Sequence, residues 1–128
     1  MAQYFWISLG AVFGANARYL ISVRAAARYG VAFPYGTFAI NVSGSALMGF
    51  LLGLLSVHFG NSAATRALLA TGFLGAYTTF STFTWETLAL FRERETGLAL
   101  VNLLGSALLG IGGALAGIWL GQQTGSWW

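Results

Sequence analysis

Twelve residues in the middle of an apolar stretch, Thr71-Gly-Phe-Leu-Gly-Ala-Tyr-Thr-Thr-Phe-Ser-Thr82, constrain this chain more tightly than any others. Two glycines and two Thr/Ser clusters make them read like a loop. Hydrocarbon cannot satisfy the backbone and hydroxyl groups of such a segment. At bilayer depth it persists only where it is packed in protein or lines a watery path. Helices broken near the midplane are how membrane proteins assemble ion sites. The segment therefore predicts a small membrane protein that moves or binds an ion.

Composition agrees. Of 128 residues 57% are hydrophobic and 7% charged, with a mean hydropathy of +0.72, whereas a soluble domain usually carries about 25% charged residues. The absence of cysteine rules out a disulfide framework and a thiolate metal site. The single histidine, His58, excludes a multi-histidine metal cluster or proton relay. A net charge of +3, carried by arginines without lysine, is too sparse and scattered for a nucleic-acid surface. The N-terminus lacks a basic n-region and apolar character recurs along the whole chain, so a cleaved signal peptide is not expected.

Apolar stretches run from about Tyr4 to Val23, Tyr35 to Phe59, Ala64 to Phe91 and Gly97 to Leu120. Each reaches the ~20 residues that a helix needs to cross the hydrocarbon. The expected fold is all-α: residues 1–128 form a single four-helix transmembrane unit whose third helix is broken at the midplane. Charge and turn residues collect in the connectors, at Arg24 to Pro34, Gly60 to Ser62 and Arg92 to Glu95. Tyr4, Trp6, Tyr35, Trp119, Trp127 and Trp128 lie near the ends, where aromatic belts form. The loops are too short to build an enzyme active site. Gly10 with Gly14, Gly49 with Gly53, and Gly113 with Gly117 are each four apart and share a helix face. Such small faces let backbones approach in lipid, within the subunit or between subunits. Arg24, Arg28, Arg92 and Arg94 fall on one side and Arg66 on the other, which biases orientation toward both termini outside.

Several polar groups sit inside the spans. Arg18 lies late in the first span, where a charge must face protein or water or snorkel to the interface. It either snorkels or is a fixed positive charge that draws anions into a vestibule. Asn41, Ser45, Gly49 and Gly53 repeat every four residues, as do Asn102, Ser106 and Gly110. Amide and hydroxyl donors on such stripes serve either interhelical hydrogen bonding or an anion path. Phe80 and Phe83 share a face, with Thr79, Thr82 and Thr84 around them. The electropositive edges of the rings can meet an anion while excluding bulk water. Glu86, one turn on, is placed to pair with Arg18 or to cap a polar network.

The run from Thr71 to Phe83 closely resembles the signature of the fluoride channels called Fluc or CrcB. The resemblance extends through Gly-Ala-Asn-Ala-Arg18, Gly36-Thr-Phe-Ala-Ile-Asn41, Glu86 and Gly105-Ser106, and so covers the whole chain. It implies an antiparallel, dual-topology homodimer with two fluoride pores and a central structural sodium ion. It would make Phe80 and Phe83 the fluoride-lining rings, Asn41 the pore amide, Ser106 a hydroxyl on the route and Arg18 the vestibule arginine. Thr82 joins them among the threonine hydroxyls that can donate. Gly75 and Thr78 would offer backbone carbonyls to sodium, two from each subunit, and a carbonyl cage suits a hard cation. Two positions depart from the pattern: Asn102 stands where family members carry tyrosine or histidine, and Gly110 where one carries a second pore serine.

The expected activity is passive fluoride export across the inner (plasma) membrane, relieving fluoride toxicity without covalent chemistry. A small multidrug exporter, also a four-span dual-topology dimer, is the main alternative. It requires a membrane-embedded acid in the first span, which here holds Arg18 and no carboxylate. A non-transporting assembly subunit would not need the polar break.

Overall fold

The structure is a computed structural model, and it describes residues 1–57 and 62–124. It is all-helical among those residues. α1 spans Ala2–Tyr29 and α2 Tyr35–Val57. A third helical passage comprises α3 (Ala63–Thr65), a π-helical segment Arg66–Leu74, α4 (Gly75–Tyr77) and, beyond a break, α5 (Phe80–Arg92). α6 spans Thr96–Gln123. The expected ends at Phe59 and in the Gly60–Asn61 turn, with His58, Trp127 and Trp128, lie outside the described residues.

Local chemistry sets the boundaries. Gly30, at φ 77°, ends α1 and returns its N–H to the Ala26 carbonyl. The left-handed conformation needed there is one glycine adopts without steric cost. Ser62 caps α3 by accepting from the Thr65 N–H, and Thr79 caps α5 by accepting from the Thr82 N–H, as hydroxyl residues do at helix starts. Arg94, at φ 63°, makes the turn between α5 and α6.

The glycine faces decide which helices touch. A Cβ on Gly49 would overlap the Ala114 carbonyl, one on Gly53 would crowd Ile118, and one on Gly117 would overlap the Ala46 carbonyl. α2 and α6 thus pack backbone to backbone. Gly10 and Gly14 in the same way seat α1 against Leu68 and Phe73 of the π-helical segment. Gly113 lies against Ala46, so all six paired glycines pack within the subunit. Ile40, Leu74 and Tyr77 form the buried centre. Leu100, Leu104, Leu108, Leu109, Ile111 and Leu115 turn outward on α6, which places bulk apolar groups where lipid would meet them.

One expectation needs correction. Residues 71–82 were expected to read as loop, yet helical geometry continues through Tyr77 and the break is confined to Thr78 and Thr79, both extended. Wide i→i+5 turns keep the backbone bonded across Gly72, with the Gly75 N–H donating to the Ala70 and Gly72 carbonyls. Gly72 is small because Ile7 and Gly10 press on it, not because the chain turns there. The four expected spans fall on the four helical passages of the fold; α2 and α6 are, among the described residues, the single helices both long and apolar enough to cross a membrane. α1 has the length but carries Arg18, Arg24 and Arg28, and the third passage is divided by its break.

Candidate anion site at the broken helix

Asn41 builds the break. Its Nδ2 donates to the Thr79 carbonyl at 3.1 Å, and its Oδ1 accepts from the Thr79 N–H at 2.9 Å. The two Thr79 groups together fix which way the amide points. Ser45 secures the same turn of α2 by donating to the Asn41 carbonyl at 2.8 Å. Thr79 Oγ1 accepts from the Thr82 N–H at 3.3 Å and donates to Thr82 Oγ1 at 3.0 Å. In an unbroken α-helix the Thr79 N–H would bond the Gly75 carbonyl, and the Thr82 N–H the Thr78 carbonyl. Both donors are diverted to side chains, so these two carbonyls lose the partners that a regular helix would supply.

Freed carbonyls are the right donors for a hard cation. Among the described residues no group of three His, Cys, Asp or Glu side chains could hold a metal ion. Gly75 is exposed on the subunit surface, so its carbonyl is on a part of the chain that a second subunit can reach. Gly75 and Thr78 are therefore the residues whose carbonyls could hold a hard cation.

Beside the break opens a cleft of about 460 Å³, lined by Asn41, Ser45, Thr79, Phe80, Phe83 and Ser106 among others. Among the described residues no ionised side chain lines it. Asn41 spends one amide proton on Thr79 and has a second to donate. Ser106 Oγ is buried and has no partner among the described residues, so its hydroxyl is available to a ligand. The α5 N-terminus begins at Phe80, so the Phe80 and Ser81 N–H groups have no partners within the helix, and the dipole end favours an anion. The Phe80 and Phe83 rings lie 5.8 Å apart and tilted at 47°. Phe83 is buried, but Phe80 is 77% exposed and stands at the open side of the cleft. The site thus offers neutral donors and ring edges with no fixed cation.

A second polar layer follows toward the far end of α5. Thr37 donates to Glu86 Oε1 at 3.0 Å, so Glu86 joins a polar network, and among the described residues it makes no ion pair with Arg18. Asn102, fully buried, donates to Thr87 Oγ1 at 2.8 Å, and Thr87 donates to the Phe83 carbonyl at 2.8 Å. Ser43 and Tyr77 share a hydrogen bond at 3.0 Å. The pairings of Asn102 with Thr87, Ser43 with Tyr77 and Thr37 with Glu86 were not foreseen because their partners lie 15 to 49 residues apart.

Of the residues singled out from sequence, the fold brings Asn41, Phe80, Phe83 and Ser106 into one cleft, with Thr78 at its edge. Gly110 packs toward Ser45. Thr82 and Arg18 are outside the lining. Thr82 is occupied with Thr79, while Arg18 stays half-buried on α1. If Arg18 acts as a long-range attractor, Arg18→Gln should reduce anion flux a few-fold, most at low anion concentration, because a local cation raises anion occupancy. Unchanged flux with normal expression would leave Arg18 as a snorkelling residue.

Exposed apolar helices and a helix broken beside a donor-lined cleft define a small helical membrane protein with a candidate anion site. The chain belongs to the CrcB family, described as CrcB-like protein, Camphor Resistance (CrcB), whose match covers residues 5–118. A protein of Acidobacterium capsulatum named fluoride-specific ion channel FluC is 45% identical over 124 residues, covering 97% of this chain and 96% of that protein. One of the same name from Magnetococcus marinus is 42% identical over 94% of this chain and 98% of its own length. A third, from Methylococcus capsulatus, is 49% identical over 91% of this chain but only 50% of its own length.

Proposed function

We propose that this chain is the subunit of a fluoride-selective channel that lets fluoride leave the cytoplasm passively through the cell membrane. The observation that carries this reading is the neutral-donor cleft at the α5 N-terminus, in a chain whose relatives are named fluoride-specific ion channels. Selectivity requires groups that replace an ion's hydration shell without trapping it. Asn41, Ser106 and the α5 N–H groups supply directed donors, the ring edges of Phe80 and Phe83 add a weak electropositive surface, and no arginine in the lining holds the anion too long. The multidrug-exporter alternative has no support, since α1 contains no carboxylate.

Fluoride-loaded liposomes containing the purified protein should empty when a potassium ionophore is added, and chloride-loaded ones should not. A fluoride electrode and a chloride electrode read the two arms. Equal rates would overturn the reading.

The proposal includes an antiparallel homodimer of four-span subunits with two pores, inserted as a multi-pass protein in the inner membrane. Pairing two exposed Gly75 turns would place four carbonyls, from Gly75 and Thr78 of each subunit, around one point. A sodium ion bound there would act as a structural tie between subunits. Ser62, which caps α3, reports orientation. In dual topology, Ser62→Cys should be labelled by an impermeant thiol reagent from both sides of the membrane in similar amounts. Labelling from one side alone would exclude the antiparallel dimer.

A further inference from the structure

The last turns of α1 carry Arg24 and Arg28, four residues apart and so on one helix face. A cleft of about 810 Å³ opens between this end of α1 and the start of α2, and both arginines line it. Its lining includes the apolar side chains of Ile21 and Phe38 and the phenols of Tyr29 and Tyr35. The two tyrosine rings are 5.4 Å apart, and both are exposed. Among the described residues no carboxylate lines the cleft. Glu86 and Glu93 border a different, smaller cleft, and neither Arg24 nor Arg28 forms an ion pair or hydrogen bond with a described residue.

These features together select a ligand. Two permanent cations one turn apart, each able to fork onto phosphate oxygens, match a phosphodiester. Tyrosines with exposed rings at a helix end belong at head-group depth, where the phenol donates and the ring meets acyl chain. Basic pockets between transmembrane helices take anionic head groups. The apolar contribution of Ile21 and Phe38 would be wasted on a small inorganic anion.

We propose that this cleft binds an anionic glycerophospholipid such as phosphatidylglycerol. Its phosphodiester sits between Arg24 and Arg28, and an acyl chain runs along Ile21 and Phe38. The site is separate from the anion cleft at the helix break and does not depend on what passes through that cleft.

Native mass spectrometry of the purified protein, equilibrated with equal phosphatidylglycerol and phosphatidylcholine, tests this. Wild type should retain phosphatidylglycerol over phosphatidylcholine by about thirtyfold, the effect of two cations beside an anionic head group. The double variant R24Q/R28Q should lose that preference, whereas R92Q/R94Q, at the same end of the molecule, should keep it. Tyr29→Phe with Tyr35→Phe, which preserves the rings, should weaken retention severalfold and covers the case in which R24Q/R28Q does not fold. Fluoride efflux from R24Q/R28Q liposomes should be unchanged. Equal loss of preference in R92Q/R94Q would reduce the site to diffuse surface charge and overturn the proposal. So would full retention in R24Q/R28Q, displacement of the lipid by inorganic phosphate, or cross-linking of Ala25→Cys to a second copy at yields showing that the cleft is filled by protein.

Discussion

Asn41→Ala should abolish measurable ion flux while the helices still form. The substitution deletes both hydrogen bonds to Thr79, and leaving a buried backbone donor unpaired costs about 1–3 kcal/mol. The freed Thr79 N–H would then return to the Gly75 carbonyl, closing the break by one helical bond. The cleft would lose its amide donor at the same time. A flux loss on the order of 100-fold follows if the two effects together raise the barrier by about 2.7 kcal/mol. Asn41→Asp tests the sign of the charge on the route. Its carboxylate still accepts from Thr79 N–H, but its second oxygen faces the Thr79 carbonyl and places negative charge on an anion's route. Flux should therefore stay lost in Asp as in Ala. Efflux from liposomes, with size-exclusion chromatography to verify assembly, reads both variants. Wild-type flux in Asn41→Ala would remove the residue from the pathway.

That dual role shows where sequence reading stops. The polar stripe of Asn41, Ser45 and Gly49 was legible because a period of four places them on one helix face. The partner of Asn41 was not, because Thr79 lies 38 residues away and nothing local in either segment encodes the pairing. The same limit hid the hydrogen bonds from Asn102 to Thr87 and from Thr37 to Glu86. The π-helical turns of Arg66–Leu74 escaped for another reason. A run rich in Ala, Leu and Gly is compatible with either winding, and Gly10 and Gly14 on α1 lie against the segment from a distant part of the chain. Glycine pairs announced close packing, but only the fold shows that α2 meets α6 and α1 meets the broken passage. Four apolar stretches were easy to see, since length and hydropathy are local properties. The division of the third into helix, two extended residues and helix follows from side-chain caps that compete with backbone bonding.

The phenylalanine pair gives the second large effect, and the two positions should respond differently. Phe80 is 77% exposed in the subunit, so Phe80→Ile removes little packing there, whereas Phe83 is 8% exposed and its replacement leaves a void. Isoleucine retains apolar bulk but has no electropositive ring edge. Edge contacts of aromatic rings are worth about 0.5–1.5 kcal/mol, and about 1.4 kcal/mol corresponds to tenfold in rate. Phe80→Ile should therefore slow fluoride efflux by up to about tenfold with thermal stability near that of wild type. Phe83→Ile should match or exceed that loss and also lower stability, because Phe83 packs at the turn whose carbonyl Thr87 and Asn102 secure. Phe80→Tyr, which keeps a ring edge, should recover more flux than Phe80→Ile. Since the rings touch each other, the double variant should lose less than the product of the single losses, as neighbouring sites do. Wild-type flux from both isoleucine variants would make the pair ordinary packing and remove the ring edges from the pathway. A loss in Phe83→Ile alone, tracking its instability, would assign the effect to the void and leave Asn41, Ser106 and the α5 N-terminus as the groups that meet the ion.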